Sequence, residues 1–548
     1  MKKTYKSIIL TLGLGMALSA CNDLDTTQFS SAVTGDQKEE ALEFNPELAQ
    51  AAVNAMSTAQ YAYTGGDATH NFFGLPSMMM YFDSDGQDMI SAYNGYNWYW
   101  IAEGLLDGTN LDDQSYLVWN TMYGEINTEN NILLTIPEDT TDETSMFYRA
   151  QALCFRAFDY WVLSQFYAMT YFGFEDKPCV PIITDKNLNE VAENGVARST
   201  VKEVYEQILS DLNEAIELLT KTPVTAQKVV TSKPKRFFNL DAAYGQLARV
   251  YLTMHDYANA EKAAQSCLNS TTCVPYSMSE VSRPTFISLD DASWLWGQPV
   301  SENDRAVTTG ICNFPSMMGS FNYGYVQYGA WKWINYKLYD YIPSTDVRKG
   351  WWLDDNYNSP NITEAEFEYL KSYGYVPGPN LSDEDRNGQV GVFPRTQVKF
   401  APYNYVLGNT TNASDIPYFR IEEVYYILYE AMAMNGNGAG ALSGLQNFVK
   451  TYRNPNYNFN SSDPAALQDE IWMQRRVEFW GEGLVAWFDL KRLGKPLDRK
   501  NSGYPQVFEY YVAPYGPSFM FPIPQQETQT NPLIPESANN PAFDRPAL

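Results

Sequence analysis

The chain of 548 residues carries 65 Asp and Glu against 38 Lys and Arg, a formal net charge of −27 at pH 7. This charge argues against nucleic-acid binding, which depends on lysine and arginine displacing counterions from phosphate groups. Aromatic residues make up 15% of the sequence, including 40 tyrosines, and this content predicts aromatic surfaces exposed for contact. Length alone suggests about three or four domains, although helical repeat proteins are an exception to that rule.

The N-terminus has the pattern of a secretory signal. Three lysines precede the apolar run 8–20, which is too short for a convincing transmembrane helix. The run ends in the sequence Leu-Ser-Ala-Cys at 18–21, which resembles the lipobox of bacterial lipoproteins. We therefore expect residues 1–20 to be a signal peptide, Cys21 to be lipidated, and residues 21–40 to form a flexible tether to a membrane.

The first half of the remaining chain predicts amphipathic helices separated by loops. Apolar residues recur at helical spacing in four segments, Pro46–Tyr61, Asp113–Leu134, Thr144–Met169 and Ser199–Leu219. The segment Tyr81–Ile101 mixes acids, glycines and aromatics, and we predict a loop there.

A tetratricopeptide-like pair of helices follows. The turn lies at His255-Asp256, and small and aromatic residues flank it at repeat spacing, namely Tyr244, Leu247, Ala248, Tyr251, Tyr257, Ala260 and Ala264. Small alanines allow two helices to pack closely, and one such unit cannot bury its apolar face alone. The sequence therefore predicts further helix pairs in the same chain.

The rest of the chain predicts an irregular insertion, then more helices, then an extended tail. Between 277 and 412 helical periodicity fades, and Gly, Pro, Asn and aromatic residues dominate. Helical patterns return at Phe419–Met434 and Ala439–Tyr452. We predict one domain over 41–548, with helical repeats at 41–276 and 413–495, the insertion at 277–412 and a C-terminal wrap at 496–548.

The segment Glu470–Leu493 predicts two helices joined by a bend at Gly481 and Gly483. Glu478 and Glu482 stand four residues apart on this segment, next to arginines. Paired carboxylates occur in glycosidases, but acids and arginines at helical spacing are more often ion pairs between helices. We favour the structural interpretation, because nothing near these residues has the signature of a catalytic pocket.

Metal and disulfide sites have weak signals. Cys154 is expected to be buried and unpaired, while the proximity in sequence of Cys267 and Cys273 leaves a disulfide between them open. Half of a calcium loop is present, but Pro394 stands where its last acidic ligand belongs, so a turn is favoured over a calcium site; the residues are Asp383, Asp385, Asn387 and Gly388. We predict no cofactor and no catalytic residue.

Four groups of motifs, in order, resemble the SusD/RagB family of Bacteroidetes outer-membrane lipoproteins. They are Arg149-Ala150, Arg156-Ala157 and Gly173 with Val180–Thr184; Arg420–Glu423 with Glu430-Ala431; Arg475-Arg476, Glu478, Gly481–Gly483 and Asp489–Arg492; and Phe521–Pro524, Glu527 and Asn531–Leu533. The chain departs from the family pattern where Glu422 and Tyr429 replace alanines and where Val485 replaces an arginine.

The resemblance implies a mainly α fold of about four tetratricopeptide-like helix pairs with a large irregular ligand-binding insertion. It also implies a cell-surface protein that captures oligosaccharides and passes them, as a lid, to a SusC-like TonB-dependent transporter in the outer membrane. A RagB-like peptide-binding subunit is the first alternative. A glycoside hydrolase is less favoured, because the sequence has no common catalytic motif.

Sugar binding needs flat aromatic faces for the rings and polar groups for the hydroxyls. Our candidate stacking residues are Trp98, Trp296, Trp331 and Trp333, with Tyr325 in support. Our candidate polar residues are Asp85, Asp88, Asn97 and Arg305. The alternative, that these aromatics form the core of the insertion, stays open for each of them.

Overall fold

The computed structural model describes residues 46–65, 69–92, 96–105, 108–230, 232–376 and 391–546. The predicted signal peptide, Cys21, the tether and the partial calcium loop at 383–388 lie outside the described residues.

Helices dominate the described chain, and the strands are short. Up to residue 270 the elements are α1 (Pro46–Ala59), α2 (Leu75–Asp85), β1 (Met89–Ser91), α3 (Trp100–Glu103), α4 (Asp113–Thr135), α5 (Glu143–Tyr167), α6 (Leu188–Asn194), α7 (Val201–Lys221), α8 (Ala226–Val229), α9 (Leu240–Thr253) and α10 (Tyr257–Ser270).

Shorter elements follow before the helices lengthen again. They are α11 (Met278–Val281), β2 (Trp294–Gln298), α12 (Arg305–Thr308), α13 (Phe314–Met318), β3 (Lys332–Ile334), α14 (Tyr336–Tyr341), α15 (Glu364–Lys371), β4 (Ile416–Arg420), α16 (Ile421–Met434), α17 (Gly438–Tyr452), α18 (Pro464–Glu478), α19 (Ala486–Arg492), β5 (Leu497–Asp498), β6 (Tyr511–Val512) and α20 (Gln525–Thr530).

The long helices pack on one another in sequence order. Helix α5 packs against both α4 and α7, α9 packs against α10, and α16 packs against α10, α17 and α18. The prediction of a mainly α, tetratricopeptide-like fold is confirmed. None of the helices in the described ranges is long and apolar enough to cross a membrane.

Local sequence signals set where these helices begin and turn. Thr200 caps α7 in a capping box with Glu203. His255 takes a positive φ of 60° in the turn between α9 and α10, and Asp256 caps α10. The small Ala260 and Ala264 are fully buried, so the two helices approach closely.

The predicted loop at Tyr81–Ile101 is wrong in three places: Tyr81–Asp85 form the end of α2, Met89–Ser91 form β1, and α3 begins at Trp100. Every side chain of α2 is buried, so the helix has no polar face and hence no amphipathic period to read. Its start is marked by Gly74 and by Pro76 in the first turn.

The cysteines are free thiols in the described chain. Cys267 and Cys273 do not form the disulfide that the sequence left open, and the Cys273 thiol lies 3.2 Å from the Trp294 carbonyl oxygen. Cys154 is buried and unpaired, as predicted.

A glycine bend separates α18 from α19, as predicted. Gly481 and Gly483 have φ of +76° and +67°, a region that disfavours residues with a Cβ. A Cβ on Gly483 would lie 2.3 Å from the Cβ of Met79. The bend therefore lets α19 pack directly onto α2, where Phe82 contacts Trp487 and Phe488.

A buried ion network surrounds this bend. Glu478 accepts hydrogen bonds from Arg453, Arg420 and Arg348. Glu482 accepts from Arg420 at 2.8 Å and from Lys399 at 2.6 Å. These residues come from separate segments of the chain, and each is at most 6% exposed. Neither carboxylate is accessible to a substrate, which removes the basis for the glycosidase interpretation.

Charge pairing in the network has a larger effect on the pKa of Glu478 than burial has. Burial by itself raises the pKa of the Glu478 carboxyl, but Arg453, Arg420 and Arg348 together lower it far below its ordinary value of 4.5. The folded state therefore binds fewer protons at this site than the unfolded state does. The stability that this ion pairing contributes is present above pH 4.5 and is lost as the pH falls.

We predict that Glu478→Gln lowers the free energy of unfolding by about 3–5 kcal/mol, because it removes the one buried negative charge that Arg348, Arg420 and Arg453 share. Urea unfolding at pH 7 followed by circular dichroism measures the change. The exposed Glu217→Gln is the control and should leave the free energy of unfolding close to the wild-type value. Equal stability of the two variants would contradict the role given to the network.

A second group of buried acids has no such pairing. Glu125 and Glu129 on α4 and Asp159 on α5 are at most 3% exposed, and they form no salt bridge within the described chain. Burial raises the pKa of Glu125 from 4.5 to about 8, and it raises the pKa of the other two well above their usual range. Burial therefore favours the neutral form of these carboxyl groups in the folded protein.

We predict that stability falls as the pH rises from about 5 to 8, because the unfolded chain ionises these acids and the folded chain does not. Glu125→Gln should reduce this loss by a few kcal/mol, since one pKa unit corresponds to about 1.36 kcal/mol. Urea titrations at several pH values check the slope. The exposed Glu206→Gln should keep the wild-type slope, and a Glu125→Gln slope equal to it would contradict the prediction.

Candidate ligand-binding surface

Strand pairing brings two distant segments together at one surface. Strand β1 pairs antiparallel with β3, with Met89 opposite Ile334 and Ser91 opposite Lys332. The ladder continues where the Ala92 backbone N–H donates to the Trp331 carbonyl at 3.0 Å. Residues that follow β1 therefore lie beside residues that precede β3.

Aromatic side chains from these two segments, together with His70 from the chain before α2, form a cluster that we call the aromatic surface; its members are His70, Tyr96, Trp98, Tyr323, Tyr325 and Tyr328. Tyr96 and Tyr328 have ring centroids 5.4 Å apart, and Tyr323 and Tyr328 lie 5.9 Å apart with their hydroxyl oxygens at 2.8 Å. The rings thus contact one another directly.

His70 supports the cluster from within. Its ring stacks on Trp98 with centroids 4.0 Å apart and planes 8° apart, and its Nδ1 shares a hydrogen bond with the Tyr325 hydroxyl. The Cys312 sulfur lies 3.7 Å from the same nitrogen. Burial lowers the pKa of His70, so the imidazole is neutral at pH 7. A neutral ring stacks here without placing a charge beneath the surface.

Exposure divides the cluster into an outer and an inner layer. Tyr96, Tyr323 and Tyr328 are 45%, 38% and 39% exposed, whereas Tyr325 is 2% exposed. Trp98 is half-buried and meets Tyr325 edge-on at 6.4 Å. The outer tyrosines can contact a ligand, while Tyr325 and His70 lie beneath them and support their rings.

Arg305 places a positive charge near this surface. Its guanidinium lies 5.5 Å from the centre of the Tyr63 ring, and the side chain is exposed. The Tyr63 hydroxyl donates to the Cys312 carbonyl at 2.8 Å, and the Cys312 sulfur lies beside His70. Tyr63 and Cys312 thus connect Arg305 to the cluster. Of the predicted site residues, the structure brings Trp98, Tyr325 and Arg305 to this region.

Trp296 lies in the core, which corrects its assignment as a stacking residue. It is 0% exposed on β2, with the Phe158 and Phe238 rings at 4.8 and 4.5 Å. Its Nε1–H donates to the Arg236 carbonyl at 3.2 Å. The large apolar area of tryptophan, which made it a candidate, is the reason that it is buried.

Trp331 and Trp333 are corrected for the same reason. They are 0% and 3% exposed, and β3 is covered on both faces. Trp333 stacks on Phe393 at 4.7 Å and donates from Nε1 to the Gly503 carbonyl. Neither ring presents a face to solvent.

The predicted polar residues Asp85, Asp88 and Asn97 are buried and engaged in structural contacts. Asp85 accepts a hydrogen bond from the Gln114 side chain, and burial raises its pKa to about 8. The Asp88 carboxylate is bound by the Arg476 guanidinium at 2.5 and 3.0 Å. Asn97 donates to Glu103 at 3.1 Å and accepts from the Tyr99 backbone. None of the three faces a ligand.

The sequence analysis did not select four members of the cluster, His70, Tyr96, Tyr323 and Tyr328. The sequence carries a signal for Tyr96, Tyr323 and Tyr328. Each of these tyrosines stands next to a glycine, and this pattern is typical of exposed loops. Tyrosine also tolerates solvent better than tryptophan, since its hydroxyl can stay hydrated. His70 had no sequence signal.

No group of three or more His, Cys, Asp or Glu side chains in the described ranges is arranged to hold a metal ion.

Comparison with known proteins identifies the family. Residues 35–252 match the sequence model of a family described as starch-binding and associating with the outer membrane, and residues 311–542 match that of the SusD family. SusD-like protein P2 of Formosa agariphila is 25% identical over 451 residues, which cover 78% of this chain and 80% of that protein.

Solved structures share the fold. A SusD-like carbohydrate binding protein from Bacteroides vulgatus has a TM-score of 0.69 at 20% identity, covering 91% of this chain and 98% of the other. Surface glycan-binding protein A from Bacteroides thetaiotaomicron, solved in complex with laminarihexaose, has a TM-score of 0.60 at 16% identity, covering 90% and 99%. The matches in sequence and in fold place this chain in the SusD/RagB family.

Proposed function

We propose that this protein binds an oligosaccharide on the aromatic surface at the exterior of the cell. The observation that carries the proposal is a set of three tyrosines, each more than one third exposed, in which Tyr328 contacts both Tyr96 and Tyr323. Exposed aromatic clusters are costly to leave in water and are typical of binding sites.

The chemistry of the surface suits sugar rings. The C–H faces of a pyranose pack on aromatic rings, and each such contact contributes about 0.5–1.5 kcal/mol. Tyrosine hydroxyls at the ring edges and the Arg305 guanidinium can bind the sugar hydroxyls. Because Tyr325 and His70 fix the rings in advance, little side-chain freedom is lost on binding.

Family membership supports a role in nutrient uptake. The matched family is described as starch-binding and associating with the outer membrane, and one relative of the same fold was solved with laminarihexaose. In our proposal Cys21 carries the lipid anchor, and the protein delivers its ligand, as a lid, to a SusC-like TonB-dependent transporter. The protein is proposed to act by binding and not by catalysis.

We predict that Tyr96→Ala and Tyr328→Ala each weaken oligosaccharide binding about two- to tenfold, because each removes one stacking contact. Isothermal titration calorimetry with a panel that includes laminarihexaose measures the Kd. Tyr511→Ala removes an equally exposed tyrosine from β6 and is the matched control, expected to leave the Kd unchanged.

Two results would overturn the binding proposal. One is unchanged affinity in Tyr96→Ala and Tyr328→Ala at unchanged Tm, which would place the ligand elsewhere. The other is binding of peptides while no member of the glycan panel binds, which would favour a RagB-like peptide carrier.

We predict that Cys21→Ser moves the protein from the membrane fraction to the soluble fraction, because serine has no thiol for lipid attachment. Immunoblots of fractionated cells and metabolic labelling with palmitate measure the change. Cys273→Ser is the control and should remain in the membrane fraction. Palmitate labelling of Cys21→Ser equal to that of the wild type would contradict a lipid anchor at Cys21.

A further inference from the structure

A cavity of about 370 Å³ lies outside the aromatic surface, among α14, α18 and the loop after α17. Its volume falls in the range of small-molecule sites, about 300–1,000 Å³. Its lining includes the side chains of Tyr341, Asn454, Asn456, Tyr457, Phe459 and Glu470.

One oxygen of Glu470 is held by three donors from around the cavity. The Tyr341 and Tyr457 hydroxyls each donate to Oε1 at 2.7 Å, and the Gln474 amide donates to it at 2.9 Å. The carboxylate is therefore fixed in orientation. Its other oxygen, Oε2, has no hydrogen-bond partner within the described chain, and Glu470 is not fully buried.

The charge of Glu470 is not neutralised by a neighbouring cation. The other charged groups that line the cavity, Asp346 and Arg348, bind each other at 2.7 Å. Lys495 pairs with the adjacent Asp469 instead. The cavity is therefore lined by a carboxylate whose orientation is fixed and whose hydrogen-bond partners, all on Oε1, are neutral.

Amides and aromatic rings complete the lining. Asn456 and Asn458 are exposed, and the Asn454 side-chain oxygen accepts from the Asn456 backbone N–H at 3.0 Å. No residue of the described ranges accepts a hydrogen bond from the Asn454 amide nitrogen. Tyr341 and Phe459 are half-buried. A carboxylate acceptor, amide donors and aromatic walls together match the hydroxyls and the C–H faces of a sugar ring.

We propose that this cavity is a second site that binds one hexose-sized sugar residue, with sugar hydroxyls donating to Glu470 Oε2. The volume suits a single residue or a chain end and not the middle of a long chain. The inference does not rest on the proposed function, because it uses none of the residues of the aromatic surface.

Titration of monosaccharides, followed by ligand-observed NMR and calorimetry, tests the proposal. The panel is glucose, galactose, mannose, N-acetylglucosamine and glucosamine. We expect at least one of them to bind the wild-type protein with a millimolar Kd, and Glu470→Gln to weaken that binding at least tenfold. Asn456→Ala, on an exposed residue with little role in folding, should weaken it several-fold.

Asp469→Asn is the matched control, because it removes the same charge from the neighbouring residue, which faces Lys495. It should bind the same monosaccharide as tightly as the wild type does. Three results would overturn the inference: no monosaccharide binds the wild type, Glu470→Gln and Asn456→Ala bind normally, or Tyr96→Ala alone abolishes binding. Loss of oligosaccharide binding at the aromatic surface with intact monosaccharide binding at Glu470 would separate the two proposals.

Discussion

Glu478 is the residue on which the arrangement of this fold depends most. A single buried carboxylate binds guanidinium groups from the segment after α14, from the end of β4 and from the end of α17. Because an unpaired charge in the interior is far more costly than a paired one, all of these segments must meet before any of them is stable. The network therefore enforces one relative position for parts of the chain that are up to 130 residues apart.

The helices could be read from the sequence because their determinants are local. The capping residue Thr200, the alanines of α9 and α10, and the two glycines before α19 each act within a few residues of their own positions. The network partners were only partly readable, since Arg348 and Lys399 lie in the insertion, where no periodic pattern indicates which side chains turn inward. The same limit explains Trp296 and Trp333, because composition shows that a ring needs contacts but not whether those contacts are core or ligand.

The candidate surface follows from pairing between β1 and β3 more than from the rings themselves. Residues on both sides of β1 in sequence are held in place by side-chain contacts. Asp88, before the strand, forms an ion pair with Arg476, and Asn97, after it, donates a hydrogen bond to Glu103. Tyr325 could be selected from sequence for its position in an aromatic run, whereas the support from His70 depends on a contact across 255 residues. Long-range contacts of this kind have no local signature, and they decide which aromatic side chains are outer and which are inner.

The bond between Arg476 and Asp88 has an evolutionary consequence. It anchors the base of β1 to α18, so the position of the neighbouring loops is set by residues that never touch a ligand. The tips of those loops, at Tyr323 and Tyr328, add little to the core and can be exchanged at small cost in stability. A lineage with this framework can change what it recognises by replacing a few exposed rings, while the arginines and glutamates beneath them stay the same.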